Sequence, residues 1–470
     1  MSVIQSTQVR IDSITLKSPY ASNIPLTSHF QELNLYDNIF SPCRTASLVV
    51  ADSIGLMNKL VLNGSETIEI KISKDENYNT EEYKFRIYSV SHRESVNQTS
   101  EVFVINLISE EYILSLQKKL NRSFSGITHT QMVALILTEY LGVSSSELGD
   151  NRLKKIGIFT ESKGNKKEII PNLNPIDAIQ WIAKRSVNKY SMPNYLFFEN
   201  TFGYNFADLT SLRNLPTVRN INEEVKNISD SAESMSQEIR GLRKLKINSQ
   251  FNIIDTIESG IYAGTFLGLD PVTKSYKKIT SDFLDTYKTS LKGFQGIPNI
   301  PMIQDDERKY VMENFNSRIT MYPSELERGR SKYITTRIGQ QEDNDSTIRY
   351  NSEDFILQRE GLFKMFLNKR ITGAIPGDFR ISSGLNIGLY GQKRTIVDGD
   401  NNIDTTKYGK YTVISSRQII SINKHETIFE AATDDMTSKL GDFDEGEQGA
   451  KQLSGIFSTG GMMIWWIIVL

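Results

Sequence analysis

The chain has a single cysteine, Cys43, in 470 residues. That excludes an intrachain disulfide and any zinc site built on two or more thiolates, and it suits folding in a reducing cytoplasm. Histidine is almost as scarce. His29, His92, His129 and His425 lie far apart and make no ligand pair at helical or strand spacing, so each reads as a surface or satisfied core residue. Charge of either sign is not in excess, since 54 basic residues face 56 acidic ones. A dedicated nucleic-acid binder would carry a basic surplus. No run approaches the roughly 20 apolar residues of a membrane helix, and the polar alternation of the first eighteen residues predicts no signal peptide.

Nucleophile and phosphate motifs are missing as well. There is no Gly-x-Ser-x-Gly elbow, no Ser-x-x-Lys, no Cys/His pairing and no phosphate-binding Gly-x-x-x-x-Gly-Lys loop. Gly384, Gly388 and Gly391 are misspaced for a dinucleotide fingerprint. Asp398, Asp400, Asn402 and Asp404 alternate as in a calcium loop. However, Ile403 stands where that loop needs glycine and Gly409 where it needs a bidentate glutamate. The stretch reads as an acidic hairpin loop, and no metal or cofactor is implied.

What is present is a soluble globular composition, 39% hydrophobic and 23% charged, over a length that predicts roughly three domains. Residues 1–115 read as β. The candidate strands are Gln8–Leu16, Ala46–Val50, Thr67–Ile72, Tyr83–Tyr88 and Val102–Leu107, with a short helix or turn over Asp52–Asn63. Such a set must close or cover its edges, so a small barrel or sandwich is expected. Residues 116–240 read as an α/β module. A helix is predicted over Thr128–Leu141 with Gly142 as its stop, then a basic solvated loop over Lys154–Lys167. A polar helix over 222–240 has Val225, Ile228, Ala232, Met235 and Ile239 on one seam, too short for a coiled coil.

Strand patterns resume at Leu245–Ile254, Gly260–Leu269 and Ser275–Ile279. Residues 291–370 read as loops and a helix over Glu353–Lys369. A last β region holds Ile371–Ile375, Ile387–Leu389, Tyr411–Ser415, Ile419–Ile422 and Thr427–Ala431. The first and last β regions share a faint order of turn, strand, charged loop, strand, polar turn, strand. Residues 435–470 are an acidic, glycine-rich tether, Gly441–Gly449, and nine apolar residues, Met462–Leu470.

The stretch Pro171–Leu212 carries the most information. Asn174 stands at an N-cap position, Pro175 at the first helical one, and Asp177 faces the helix N-terminus. Ile176, Ile179, Ala183 and Val187 share an apolar face that Trp181 and Ile182 widen. An aromatic hairpin follows, Tyr195–Phe198 and Tyr204–Phe206 around a tight loop ending in Gly203. This order resembles the central hub protein of contractile-tailed phage baseplates. In that family an Asn-Pro-led helix with Trp and Ala-Lys-Arg-Ser precedes Phe-Phe-Glu-x-x-x-Gly-Tyr-x-Phe. Here those are Asn174, Pro175, Trp181, Ala183–Ser186 and Phe197–Phe206. Tyr36–Pro42 through Ala51–Ser53 and Asn63–Glu66, and Gly409–Ser415 with Glu426–Asp434, match two further regions. Arg417 and Gln418 stand where the closing hairpin often has histidine.

The resemblance extends to the N-terminal part of type VI secretion spike proteins, but no spike repeats follow in this sequence. It implies an α+β, multidomain chain with two small tube-like antiparallel β-barrels plus α/β and helical connecting modules. The first barrel would be 1–115, the second a discontinuous one from 241–290 and 371–434. The implied role is structural rather than enzymatic: a homotrimeric ring joining a spike protein trimer to the tail tube hexamer, beside baseplate wedge or other hub proteins. DNA would pass through without tight binding. The setting would be the virion tail, assembled in the host cytoplasm, with no stable membrane association. Rival readings are a tail-associated peptidoglycan hydrolase and the hub of a phage-derived injection particle. The apolar tail, with Met462, Trp465, Trp466, Ile467 and Ile468, is the expected partner contact.

Overall fold

A computed structural model of the chain describes residues 9–53, 55, 62–73, 80–97, 100–143, 156–223, 242, 244–249, 252–258, 260, 263–270, 274–282, 316–323, 333–337, 353–391, 409–422 and 424–433. Most of the Asp52–Asn63 turn, nearly all of the polar 222–240 helix, the Asp398–Asp404 loop and the 435–470 tail lie outside the described residues.

Seven strands come first: β1 (Arg10–Ser18), β2 (Ala21–Pro25), β3 (Phe30–Asn38), β4 (Thr45–Asp52), β5 (Thr67–Ser73), β6 (Thr80–Asn97) and β7 (Ser100–Ser109). The central module is α1 (Glu110–Leu116), β8 (Leu120–Ile127), α2 (His129–Leu141), β9 (Ile156–Phe159), β10 (Lys166–Leu173), α3 (Pro175–Arg185), β11 (Tyr195–Asn200), β12 (Gly203–Asp208) and α4 (Leu209–Asn214). Then come β13 (Thr217–Glu223), β14 (Lys244–Ser249), α5 (Ile253–Glu258), β15 (Ala263–Asp270), β16 (Ser275–Asp282), β17 (Asn316–Pro323) and β18 (Tyr333–Arg337). The chain continues through α6 (Glu353–Phe366), β19 (Lys369–Pro376), β20 (Asn386–Gly391), β21 (Gly409–Ser421) and β22 (Lys424–Thr433).

Antiparallel sheet dominates. Thirteen strands form one hydrogen-bonded sheet in the order β14-β19-β22-β21-β3-β4-β7-β6-β5-β1-β2, with β20 beside β21 and β13 beside β20. This differs from the two separate barrels expected. The two β regions are joined through β3 and β21, and neither half closes by a strand pair among the described residues. Each half nonetheless buries one face on itself. Leu33, Leu48, Ile70, Phe85 and Ile105 share a cluster to which no helix contributes, so the sheet must curve over its own inward side chains. Ile371, Ile387, Val413 and Phe429 do the same in the second half.

The faint sequence duplication is plain in the topology. The first half runs β3-β4-β7-β6-β5-β1, with β2 added at its edge, and the second β14-β19-β22-β21-β20-β13; apart from β2 the order is the same when each half is numbered along the chain. All pairings within the two halves are antiparallel except β13 with β20, which is parallel.

Other elements differ from expectation. Residues 263–282 do not join the second half; β15 and β16 pair with β17 and β18, in a region read as loops, to form a four-stranded sheet. The Lys154–Lys167 segment is not simply a loop, because β9 lies parallel to β12 and β10 opens at Lys166. Tyr411–Ser415 and Ile419–Ser421 belong to one strand, and Ile422 lies in the turn after it. Between them Ser416 and Gln418 are buried and hydrogen-bonded. The strand at Leu245 stops at Ser249, and α5 begins at Ile253.

The central module matches its pattern closely. Thr128 and Gln131 form a reciprocal capping box on α2, and Gly142 ends that helix in the left-handed region. On α3, Ile176, Ala178, Ile179, Ile182 and Ala183 are buried, and Arg185 stacks 3.5 Å over the Trp181 ring. Asn174 is extended as an N-cap should be, yet its amide donates to Asp177 rather than its oxygen accepting from the helix backbone. Strands β11 and β12 pair from Tyr195↔Asp208 to Asn200↔Gly203, and Gly203 has a φ of 124°, a value a Cβ disfavours.

Candidate functional site

The residues with the most specific environment lie where the two halves meet. Along that joint β3 and β21 pair antiparallel from Ser415↔Asn38 to Ser421↔Glu32. Asp37, paired with Ser416 near one end of it, is buried. Its Oδ1 accepts from the Ser416 N–H at 3.1 Å, the Ser416 hydroxyl at 2.6 Å and the Ser383 N–H at 3.3 Å, while its Oδ2 accepts from the Ser382 hydroxyl. Burial pushes the Asp37 carboxyl above its ordinary range, against the opposing pull of Arg44 and these donors.

The tip of the β11–β12 hairpin sits against both halves. Glu199 accepts from the Arg44 N–H at 3.0 Å and the Ser109 hydroxyl at 2.5 Å on the first half. On the second half, Asn200 donates to the Ser383 carbonyl at 2.9 Å, and the Thr201 N–H donates to Ser382 Oγ at 3.2 Å. From α6, half-buried Arg359 donates to the carbonyls of Ala183, Pro193 and Tyr195 at 2.8–3.2 Å, and desolvation lowers its pKa to about 10. The tip of the hairpin that stood out in the sequence therefore bonds to both halves beside their joint.

The same joint borders a groove of about 500 Å³, lined by Tyr36, Asp37, Asn38, Ser416, Arg417 and Glu430 among others. Arg417 is the one cation in its lining, and this arginine and the cations on the neighbouring strands β19 and β22 lie beside acids. Arg417 donates to Asn34 at 3.0 Å and lies 3.9 Å from Glu32, Arg370 lies 3.8 Å from Glu430, and Lys424 is 2.6 Å from Glu426. The surface is thus balanced rather than basic.

One buried cluster has the composition of a hydrolase triad. His129 Nδ1 lies 3.1 Å from Ser186 Oγ, and its Nε2 lies 3.5 Å from a Glu168 oxygen. These residues are far apart in sequence, and only the packing of α2, β10 and the end of α3 brings them together. Ser186 is wholly buried and its hydroxyl donates to the Ile182 carbonyl at 2.8 Å. A nucleophile must meet its substrate, so this serine is placed as a helix-end linker. Burial pushes the His129 pKa down, against the pull of Glu168. His425 is likewise enclosed, 2.9 Å from Gln418 Oε1 and against the Phe379 ring. Cys43 is buried, and among the described residues no three acidic, histidine or cysteine side chains group to hold a metal. Nor, among the described residues, is any helix long and apolar enough to cross a membrane. Met462, Trp465, Trp466, Ile467 and Ile468 lie outside the described residues.

No protein-family model matches the chain, and no curated protein matches it. Among solved structures it is similar to a tail protein from Neisseria meningitidis at 10% identity and a TM-score of 0.45, over 90% of this chain and 96% of that one. It is also similar to a 43 kDa tail protein of a prophage from Shewanella oneidensis, at 10% identity and a TM-score of 0.46, over 91% and 100%. A third is a type VI secretion system component from E. coli, itself similar in structure to the T4 bacteriophage tail proteins gp27 and gp5. There the identity is 8% and the TM-score 0.38, over 91% and 76%. These solved structures are thus two tail proteins, one of them from a prophage, and a type VI secretion component.

Proposed function

We propose that this protein is a structural component of a contractile tail baseplate, a trimeric hub ring that adapts a threefold spike to a sixfold tail tube. The observation that carries the reading is the repeated strand order of the two halves. One chain holds two equivalent six-stranded units, so a threefold ring of chains offers six such units in turn. That is the geometric requirement for meeting a sixfold partner. The sequence resemblance of the Asn174–Phe206 module supports the same role.

The internal joint also supplies a rule for the contact between copies. Strand β3 pairs with the second part of β21. By the equivalence of the halves, β14 pairs with the second part of β6 on the next copy. Both edges are available: β14 ends the sheet, and β6 beyond Ser89 has β7 on one side only among the described residues. The balanced charges on the grooved face suit a channel wall over which DNA slides, since a lysine-lined wall would hold phosphates.

The test is the mass of the purified chain in solution, with cysteines placed at Arg93 and Ile247. Three copies of a 53.4 kDa chain give about 160 kDa, and an intermolecular disulfide is expected between the two positions. A monomer at micromolar concentration that forms no such bond would overturn the reading.

A further inference from the structure

The four-stranded sheet β17-β15-β16-β18 has apolar residues on both faces. On one, Phe266 and Ile279 pack with Tyr322 and with Ile356 of α6. The register puts Leu267 beside Met321, Leu269 beside Tyr276 and Thr265 beside Ile319 on the other. There Ile319 is 62% exposed and Met321 64%, with Leu269 and Tyr276 exposed too. Two of the three strand pairings are parallel. Helix α6 covers one face, and the other leaves large apolar side chains in solvent that a covering segment would remove from water.

Within the same chain is a segment that needs such a cover. Met462–Leu470 is apolar at all nine positions. The 28 residues between Thr433 and Met462 can span about 95 Å when extended. Strand β22 ends at Thr433, which pairs with Lys369 just beyond α6, the helix under this sheet. From there the tail needs only to pass the length of one 14-residue helix, roughly 21 Å. The tether is acidic, with Asp442, Asp444, Glu445 and Glu447, and the β16 end of the sheet exposes Lys274 and Lys278.

We infer that the apolar C-terminal segment of this chain docks on the exposed face of the four-stranded sheet formed by β17, β15, β16 and β18. Leu267, Leu269, Tyr276, Ile319 and Met321 are its seat. The contact is intramolecular and does not depend on the hub reading.

Two of the three tryptophans, Trp465 and Trp466, lie in the tail, so Trp181→Phe leaves a chain whose fluorescence reports the tail alone. In that background the emission should be blue-shifted and shielded from acrylamide. Ile319→Glu with Met321→Glu should move it to the red and raise quenching severalfold, and dilution should leave it unchanged. These side chains face solvent, so the far-UV spectrum and melting should persist; should they not, the pair Ile319→Cys and Val469→Cys takes their place and should give an intrachain disulfide. Solvent-like emission in the full chain, indifference to the glutamates in a folded protein, or a disulfide forming only between chains would each overturn the inference.

Discussion

Replacing Asp37 by alanine tests how the two halves are held together. The carboxylate accepts from two backbone N–H groups, Ser416 and Ser383, and from the hydroxyls of Ser416 and Ser382. The hydroxyls can turn to other acceptors, but the two N–H groups are fixed by the backbone. A buried donor left without its partner costs about 1–3 kcal/mol, so the pair sums to about 2–6. Removing a buried carboxylate also removes its desolvation penalty, and a net loss near 3 kcal/mol is expected. In a urea titration followed by far-UV circular dichroism, that lowers the midpoint by about 1 M for a slope near 3 kcal/mol per molar. Asp37→Asn keeps the oxygen that accepts three of the four bonds and turns an amide toward Ser382 Oγ, so it should lose under about 1.5 kcal/mol. The two variants should also part with pH. A carboxyl raised in the folded state contributes stability below its unfolded value near 3.9, and that contribution is lost as pH rises through the folded value. Asp37→Asn has no such loss and should gain on wild type as pH increases. Equal losses for alanine and asparagine at neutral pH would refute the argument, because they would make the charge facing Arg44, not the acceptor geometry, the source of stability.

Two further outcomes are expected. Gly384 has a φ of +83°, and an added Cβ would stand 2.5 Å from Phe198 Cζ; Gly384→Ala should lower the thermal midpoint, at a cost of about 1–3 kcal/mol. His129 has its pKa lowered by burial, so the protein should lose stability as pH falls below the unfolded value near 6.5 and stop losing it below the folded value; His129→Gln should flatten that limb of a urea-midpoint profile, and an unchanged profile would count against a buried neutral histidine.

Local rules were legible in the residues. Ile68, Ile70 and Ile72 alternate, and β5 buries all three. Met132, Ile136 and the Gly142 stop mark α2, and the Asn174–Pro175 start marks α3. These follow from side-chain direction and backbone preference, which act within a few residues. Strand β3 escaped because its polar residues break the apolar alternation, and Asp37 is tolerated inside only by partners 345 and 379 positions away. The same held for β21, whose buried Ser416 and Gln418 resemble turn residues until their partners are known. The repeated order of the halves was faint in sequence because strand order is carried by backbone hydrogen bonds, with which many different side chains are compatible. The joining of the halves into one sheet, the separate pairing of β15 and β16, and the enclosure of Ser186 with His129 all needed the tertiary structure. The periodicity of a strand sets which face is buried. Which edge it meets is decided only when distant segments compete to satisfy its exposed backbone.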